Sequence, residues 1–244
     1  FTNIISCLAA DRVVFNSEWH RDVFLEAIPG FLNRMPEAVP KDVPARIHAR
    51  SEVIPVGLER APLPAGHFSQ YRGGPCEESE ALPWPRGQRH LLLWNHRWEF
   101  DKRPEMFARA LEALLERGLD FEVALLGDPA GQEAVVAPVA ERLGARCRAF
   151  AWIPERRTYE AWLRAADIVV SCAAHEYFGI SVAEAIHAGA YAVLPRGQVY
   201  PSLYGPACRG RHFYGDQAGL EGLLTDLISG GACGHVCGLQ TLAD

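Results

Sequence analysis

The 244-residue chain is long enough for one large domain, or for one domain with part of a second. Its 49% hydrophobic and 22% charged residues are ordinary for a globular protein and exclude a disordered one. A formal charge of −6 excludes a basic footprint for nucleic acid over the whole chain, though not a local basic patch or a nucleic-acid contact on another segment.

In chain order, residues 1–56 read as a short α/β stretch. A helical start leads to a strand over 12–15, and Asn16-Ser17 supplies an N-cap for a helix over 18–25. A Pro-interrupted loop then precedes a strand over 52–56. Residues 57–88 carry Pro62, Pro64, Gly73, Gly74, Pro75, Pro83 and Pro85 without apolar periodicity, which predicts a linker or surface excursion. Residues 89–230 are regular. Strands are predicted over 91–94, 121–126, 147–152, 168–172 and 191–194, with helices over 104–116, 132–143, 155–166, 180–188 and 217–228. Pro104 opens the first of these helices, Gly118 follows its end, and Met106, Phe107, Leu111, Leu114 and Leu115 share one face. Apolar strands alternating with helices predict a parallel sheet covered on both faces, with ligands beyond the carboxyl ends of its strands. Residues 231–244 read as a tail.

No apolar run approaches a bilayer span; the longer ones, such as 168–174, have the length of buried strands. Residue 1 is Phe and no basic start precedes an apolar stretch, so no signal peptide is expected, and the chain is expected to begin partway through a longer protein. The seven cysteines (Cys7, Cys76, Cys147, Cys172, Cys208, Cys233 and Cys237) are odd in number and scattered. They predict reduced thiols and a cytoplasmic protein. Cys233-Gly-His-Val-Cys237 lacks the second ligand pair of a zinc site and reads as incidental thiols.

Two loops carry the chemistry. After the strand at 91–94 comes Asn95-His96-Arg97-Trp98-Glu99-Phe100-Asp101-Lys102. Arg97 offers forked donors, Lys102 a compact charge, and the following helix a positive dipole end, a set suited to a diphosphate whose charge grows as it leaves. Most Arg/Lys pairs in surface loops are simply solvated, and the residues alone leave that alternative open. The second loop, His175-Glu176-Tyr177-Phe178-Gly179-Ile180, runs into a helix carrying Glu184. Two carboxylates eight residues apart could face one cleft and accept hydrogen bonds from hydroxyl pairs, while Gly179 allows close approach to the helix N–H groups. Taken alone, the bland alternative of two solvated charges is favoured.

The Glu176-to-Glu184 spacing, with Phe178-Gly179 inside it, resembles the donor motif of family-4 retaining glycosyltransferases of the GT-B fold, and the spacing of Arg97 and Lys102 resembles their diphosphate-binding pair. That resemblance implies two Rossmann-like domains, of which the C-terminal one, with its parallel sheet, binds the nucleotide sugar. Here it would sit beside a remnant of the N-terminal acceptor domain. No metal and no cofactor are implied. The runs at 4–11 and 13–17, His96-Arg97-Trp98-Glu99, His175-Glu176-Tyr177-Phe178-Gly179 and Val199-Tyr200-Pro201 are similar to those of the tRNA-queuosine α-mannosyltransferases. Members of that family are implied to transfer mannose from GDP-mannose to queuosine in the anticodon of tRNA-Asp.

Carried over by position, the resemblance makes Arg97 and Lys102 stabilise the departing phosphates and Glu176 bind the hexose hydroxyls. Phe178, Gly179 and Ile180 would line the sugar and diphosphate, Glu184 would bind the ribose diol, and Trp152 and Ile153 would border the guanine. His96 and His175 would orient the donor, although a lone His is more often a structural hydrogen-bonder. Two departures stand out. The chain has Tyr200-Pro201-Ser202 where many family-4 enzymes have a Glu after the Pro, and it holds only what looks like the last part of an acceptor domain. If nothing more of the protein exists, donor binding could survive where transfer would not. The rivals are a family-4 transferase acting on a glycan or glycolipid, and a non-catalytic nucleotide-sugar-binding module. A Rossmann dehydrogenase is discarded, because no G-x-G-x-x-G stands at a strand end.

Overall fold

The computed structural model describes residues 1–35, 40–58, 89–128, 133–203 and 212–230. Most of the expected linker, the tail, and Cys76, Cys208, Cys233 and Cys237 lie outside them. The chain divides into two compact units. The first is Phe1–Gly57 together with Glu176–Phe178; the second is Leu58–His175 with Gly179–Asp244.

In the first unit, β1 (Val13–Phe15) and β2 (Ser51–Val53) pair in parallel, with α1 (Thr2–Ala9), α2 (Glu18–Leu32) and α3 (Val43–His48) beside them. Ser17 caps α2 by accepting from His20 N at 3.0 Å. The cap was legible; the helix length was not. A stop was expected near residue 25, but α2 runs on through Pro29, because Ile28 and Leu32 are buried with Leu25 against Val43 and Ile47 of α3. That packing outweighs the lost proline donor. The same core explains α3, where a loop was expected: Val43 and Ile47, four residues apart, form its buried stripe.

The second unit is a six-stranded sheet in the order β5-β4-β3-β6-β7-β8, with every pair parallel. The strands are β3 (His90–Trp94), β4 (Phe121–Leu126), β5 (Cys147–Ala151), β6 (Ile168–Val170), β7 (Tyr191–Pro195) and β8 (Phe213–Tyr214). The central strands are buried on both faces, which is why they read as apolar runs rather than alternating ones. Alternate residues feed two separate cores. Leu92, Trp94, Val123 and Leu125 pack with Phe107, Leu111 and Leu114 of α4 (Pro104–Glu116), with α5 (Glu133–Leu143) and with α9 (Gln217–Ile228). Leu91, Leu93, Ala124 and Leu126 pack with Trp162 and Leu163 of α6 (Arg156–Ala165), with Val182 and Ala185 of α7 (Ile180–His187), and with Tyr200 and Leu203 of α8 (Tyr200–Leu203).

This is the expected α/β class with a parallel sheet. Strand order reverses between β3 and β6, so the crevice of a doubly wound sheet falls beyond their carboxyl ends. The two loops singled out in the sequence leave those two strands. The short elements α8 and β8 were not anticipated; four and two residues are too few for periodicity to register.

Candidate functional site

The loop after β3 is held from below. Trp98 is buried, its backbone N–H donating to Asp128 O at 3.2 Å, and its ring meets Phe150 at 5.0 Å. His96 is also buried. Its carbonyl runs so close to Gly127 that a Cβ there would lie 2.1 Å from the oxygen. Gly127 has φ of 131°, so the close approach and the backbone angle both call for glycine. A 3₁₀ turn, Phe100–Lys102, follows, and Arg103 at φ 51° starts α4.

This turn ties the loop to its counterpart after β6. Ala174 N donates to Asp101 O at 2.7 Å, and Lys102 Nζ donates to His175 O at 3.1 Å. Lys102 also pairs with Asp101 at 3.1 Å, and its side chain is only 12% exposed. The ammonium thus sits fixed at the switch point. Arg97 is placed differently: 69% exposed, it pairs with Glu99 at 3.1 Å. The structure therefore joins Lys102 to the loop after β6 and leaves Arg97 on the outer side chain of its own loop.

Gly179, at φ 78°, is the N-cap of α7. The first-turn N–H groups of a helix suit an anion or hydroxyl. Ile180 is exposed there. Ser181 Oγ lies 3.2 Å from His96 Nδ1, and Ser181 O accepts from Asn95 Nδ2 at 2.8 Å, which fastens α7 to the end of β3. His96 is thus a buried hydrogen-bonding residue beneath the crevice, while the His175 side chain is exposed and its carbonyl serves Lys102.

Glu184, one turn along α7, is bonded to α6. Arg156 Nη1 donates to its Oε1 at 2.8 Å and Tyr159 Oη to its Oε2 at 3.0 Å. Asn95, Arg156 and Tyr159 were not among the expected site residues. Their signal was positional, since Asn95 is the first residue past β3 and Arg156 opens the helix after β5. Trp152 is 60% exposed past β5, and Ile153 beside it packs partly against the core.

Glu176 and Phe178 fall in the first unit. Glu176 Oε1 accepts from the N–H groups of Tyr177 at 3.1 Å and Phe178 at 3.4 Å, turning the carboxylate over its own backbone. Phe178 is buried. Ser17 Oγ donates to Tyr177 O at 2.5 Å, and the Tyr177 ring stacks on His20 at 4.2 Å. Ser202 stands after Pro201, where many family-4 enzymes carry a Glu, and its Oγ donates to Val199 O at 2.6 Å; Tyr200 beside it is fully buried, its hydroxyl 2.8 Å from Ser171 Oγ.

Among the described residues, no group of three or more His, Cys, Asp or Glu side chains is placed to hold a metal ion. Among them, too, no helix is long and apolar enough to cross a membrane. The described cysteines Cys7, Cys147 and Cys172 are free thiols.

Residues 78–229 match the family described as glycosyl transferases group 1, and residues 1–58 match the family described as tRNA-queuosine alpha-mannosyltransferase N-terminal. A tRNA-queuosine alpha-mannosyltransferase of Drosophila melanogaster is 34% identical over 207 residues, covering 84% of this chain and 52% of the relative. A D-inositol 3-phosphate glycosyltransferase of Xylanimonas cellulosilytica is 34% identical over 99 residues, 39% of this chain and 23% of the relative. The chain thus spans about half the length of the first of these and less than a quarter of the second. Among solved structures, sucrose-phosphate synthase from Thermosynechococcus elongatus superposes with a TM-score of 0.62 at 15% identity, over 93% of this chain and 51% of that one. The HepE protein of Anabaena, solved with UDP and glucose, gives 0.61 at 18% identity, over 93% and 57%. These structural likenesses carry the GT-B fold alone. The sequence match spans both switch-point loops, and on it the chain belongs to the group 1 family of glycosyl transferases.

Proposed function

We propose that the protein is a retaining glycosyltransferase that moves mannose from GDP-mannose to queuosine in the anticodon of tRNA-Asp. The observation that carries the donor half is Lys102, a cation locked at the switch point between the loops after β3 and β6 and fixed by Asp101 and the His175 carbonyl. An ammonium held there meets a diphosphate with little reorganisation, which is where electrostatic catalysis gains most. The acceptor half is supported by the match of residues 1–58 and by the Drosophila relative.

In this reading Lys102 and Arg97 take the growing charge of GDP, and the first turn of α7 adds backbone donors. Arg97 swings from Glu99 to do so, a small cost for an exposed pair. Glu176 holds hexose hydroxyls and Glu184 the ribose diol. Trp152 and Ile153 border the base, and no metal is required. The bond from the sugar C1 to the phosphate oxygen breaks as the queuosine hydroxyl oxygen bonds C1 on the same face. The hydroxyl proton passes to the departing phosphate.

The test is incubation of the protein with queuosine-containing tRNA-Asp and GDP-mannose, followed by nucleoside mass analysis. A gain of one hexose on queuosine is expected. Transfer to a glycan or lipid acceptor with queuosine untouched would overturn the acceptor assignment, and transfer from UDP-sugars alone would overturn the donor.

A further inference from the structure

Glu184 is gripped before any ligand arrives. Both of its carboxylate oxygens already accept from α6, Oε1 from Arg156 and Oε2 from Tyr159. The Tyr159 hydroxyl in turn accepts from Asn95 Nδ2 at 3.0 Å, and that amide also donates to Ser181 O, which fixes which way the Asn95 side chain points. With its oxygen serving Asn95, the phenol has its one proton to give, and it gives it to Glu184. Burial first, then the charge of Glu184, push the phenol above its ordinary range, so the proton stays on. Arg156 is itself braced, its Nε donating to Glu160 at 2.7 Å.

Each carboxylate oxygen has a second acceptor site, and the Glu184 side chain keeps 18% of its surface open. A vicinal diol needs two acceptors at fixed spacing. A free glutamate loses rotamer freedom to provide them, whereas one already pinned at both oxygens does not.

From this arrangement we propose that Arg156 and Tyr159, backed by Asn95, are positioning residues that orient Glu184 toward the ribose diol of the nucleotide, so that preference for a ribonucleotide is set by α6 as much as by Glu184. The proposal rests on the reading of Glu184 given above.

The test compares binding of GDP and 2′,3′-dideoxy-GDP to the chain by calorimetry, with the UDP pair in parallel; the ratio of the two dissociation constants is the readout. Glu184→Gln should erase most of the preference for the ribonucleotide. Tyr159→Phe and Arg156→Gln should each cut that preference about fivefold to tenfold, by weakening ribonucleotide binding while dideoxynucleotide binding stays within about twofold. Arg156→Lys, which keeps the charge and loses the fork, should recover part of it. A merely structural role would weaken both nucleotides alike and leave the ratio unmoved, and that result overturns the proposal. If Glu184→Gln keeps the ratio, the ribose reading of Glu184 itself fails. If Glu184→Gln loses the ratio while both α6 variants keep it, only the positioning role fails. Absence of binding by either diphosphate removes the donor reading and the proposal together.

Discussion

Lys102 and Arg97 show how little residue type says about readiness. Both are cations in one loop, five residues apart, yet one is locked by a carboxylate and a carbonyl and the other lies on the surface beside Glu99. Their loss should therefore differ. Lys102→Ala is expected to lower turnover about 100-fold or more, the scale of removing one preorganised donor to a developing charge. Its melting temperature should fall only modestly beside that loss of turnover, although the side chain is 12% exposed and holds both Asp101 and the His175 carbonyl. Arg97→Ala should cost less, since its side chain must first leave Glu99. Steady-state kinetics and a thermal melt on each variant check the pair, and a Lys102→Ala enzyme with intact turnover and a collapsed melt would contradict the assignment. At this scale the sequence displayed which charged groups exist near a strand end. It could not display Arg156, Tyr159 and Asn95 converging with Glu184, because contacts from residue 95 to 159 and from 156 to 184 are set by strand order, not spacing.

Secondary structure was legible wherever an element spans enough residues to display a period. The 13-residue α4 and 12-residue α9 fall where their apolar stripes and caps put them. The elements missed, α3, α8 and β8, are six, four and two residues long, and tertiary contacts rather than periodicity specify them. Loop glycines are a second legible feature, though their reason is not. Gly127 ends β4 with the His96 carbonyl lying where a Cβ would go. Gly127→Ala must displace that backbone and adopt an unfavourable φ, so a loss of about 2–4 kcal/mol is expected in urea unfolding. Gly118, with φ 71° but open space around it, should tolerate Ala at about 1 kcal/mol. Equal losses at the two sites would show that crowding at His96 is not the cause. A similar comparison applies to the α2 cap, where Ser17→Ala removes both the acceptor for His20 N and the donor to Tyr177 O. It should cost about 1–2 kcal/mol, with Ser17→Thr recovering much of it.

For the molecule as a whole, the sequence displayed two stretches of α/β character, because each carries its own apolar positions: Ile28, Leu32, Val43 and Ile47 in one, and the two faces of the long sheet in the other. It could not display that Glu176–Phe178 groups with residues more than a hundred positions earlier, since three loop residues have no period to betray their neighbours. The larger unit also carries a buried titratable group that ties its stability to pH. Cys172, just past β6, is fully buried, and burial pushes its thiol up from 9.0 to about 12. The neutral thiol is the form that folding favours, so its contribution is complete below about pH 9 and drains away as pH rises toward 12, where the unfolded chain has already released its proton. Between pH 9 and 10 the second unit should lose about 1 kcal/mol from this one group. Urea unfolding followed by the fluorescence of buried Trp94, Trp98 and Trp162 measures it. Tyrosines titrate over the same range, so the deciding quantity is the difference between the native chain and Cys172→Ala. The variant should be less stable at pH 7 for its lost packing, yet fall more gently above pH 9. Parallel pH profiles for the two would mean that the Cys172 thiol ionises as freely in the folded sheet as in the open chain.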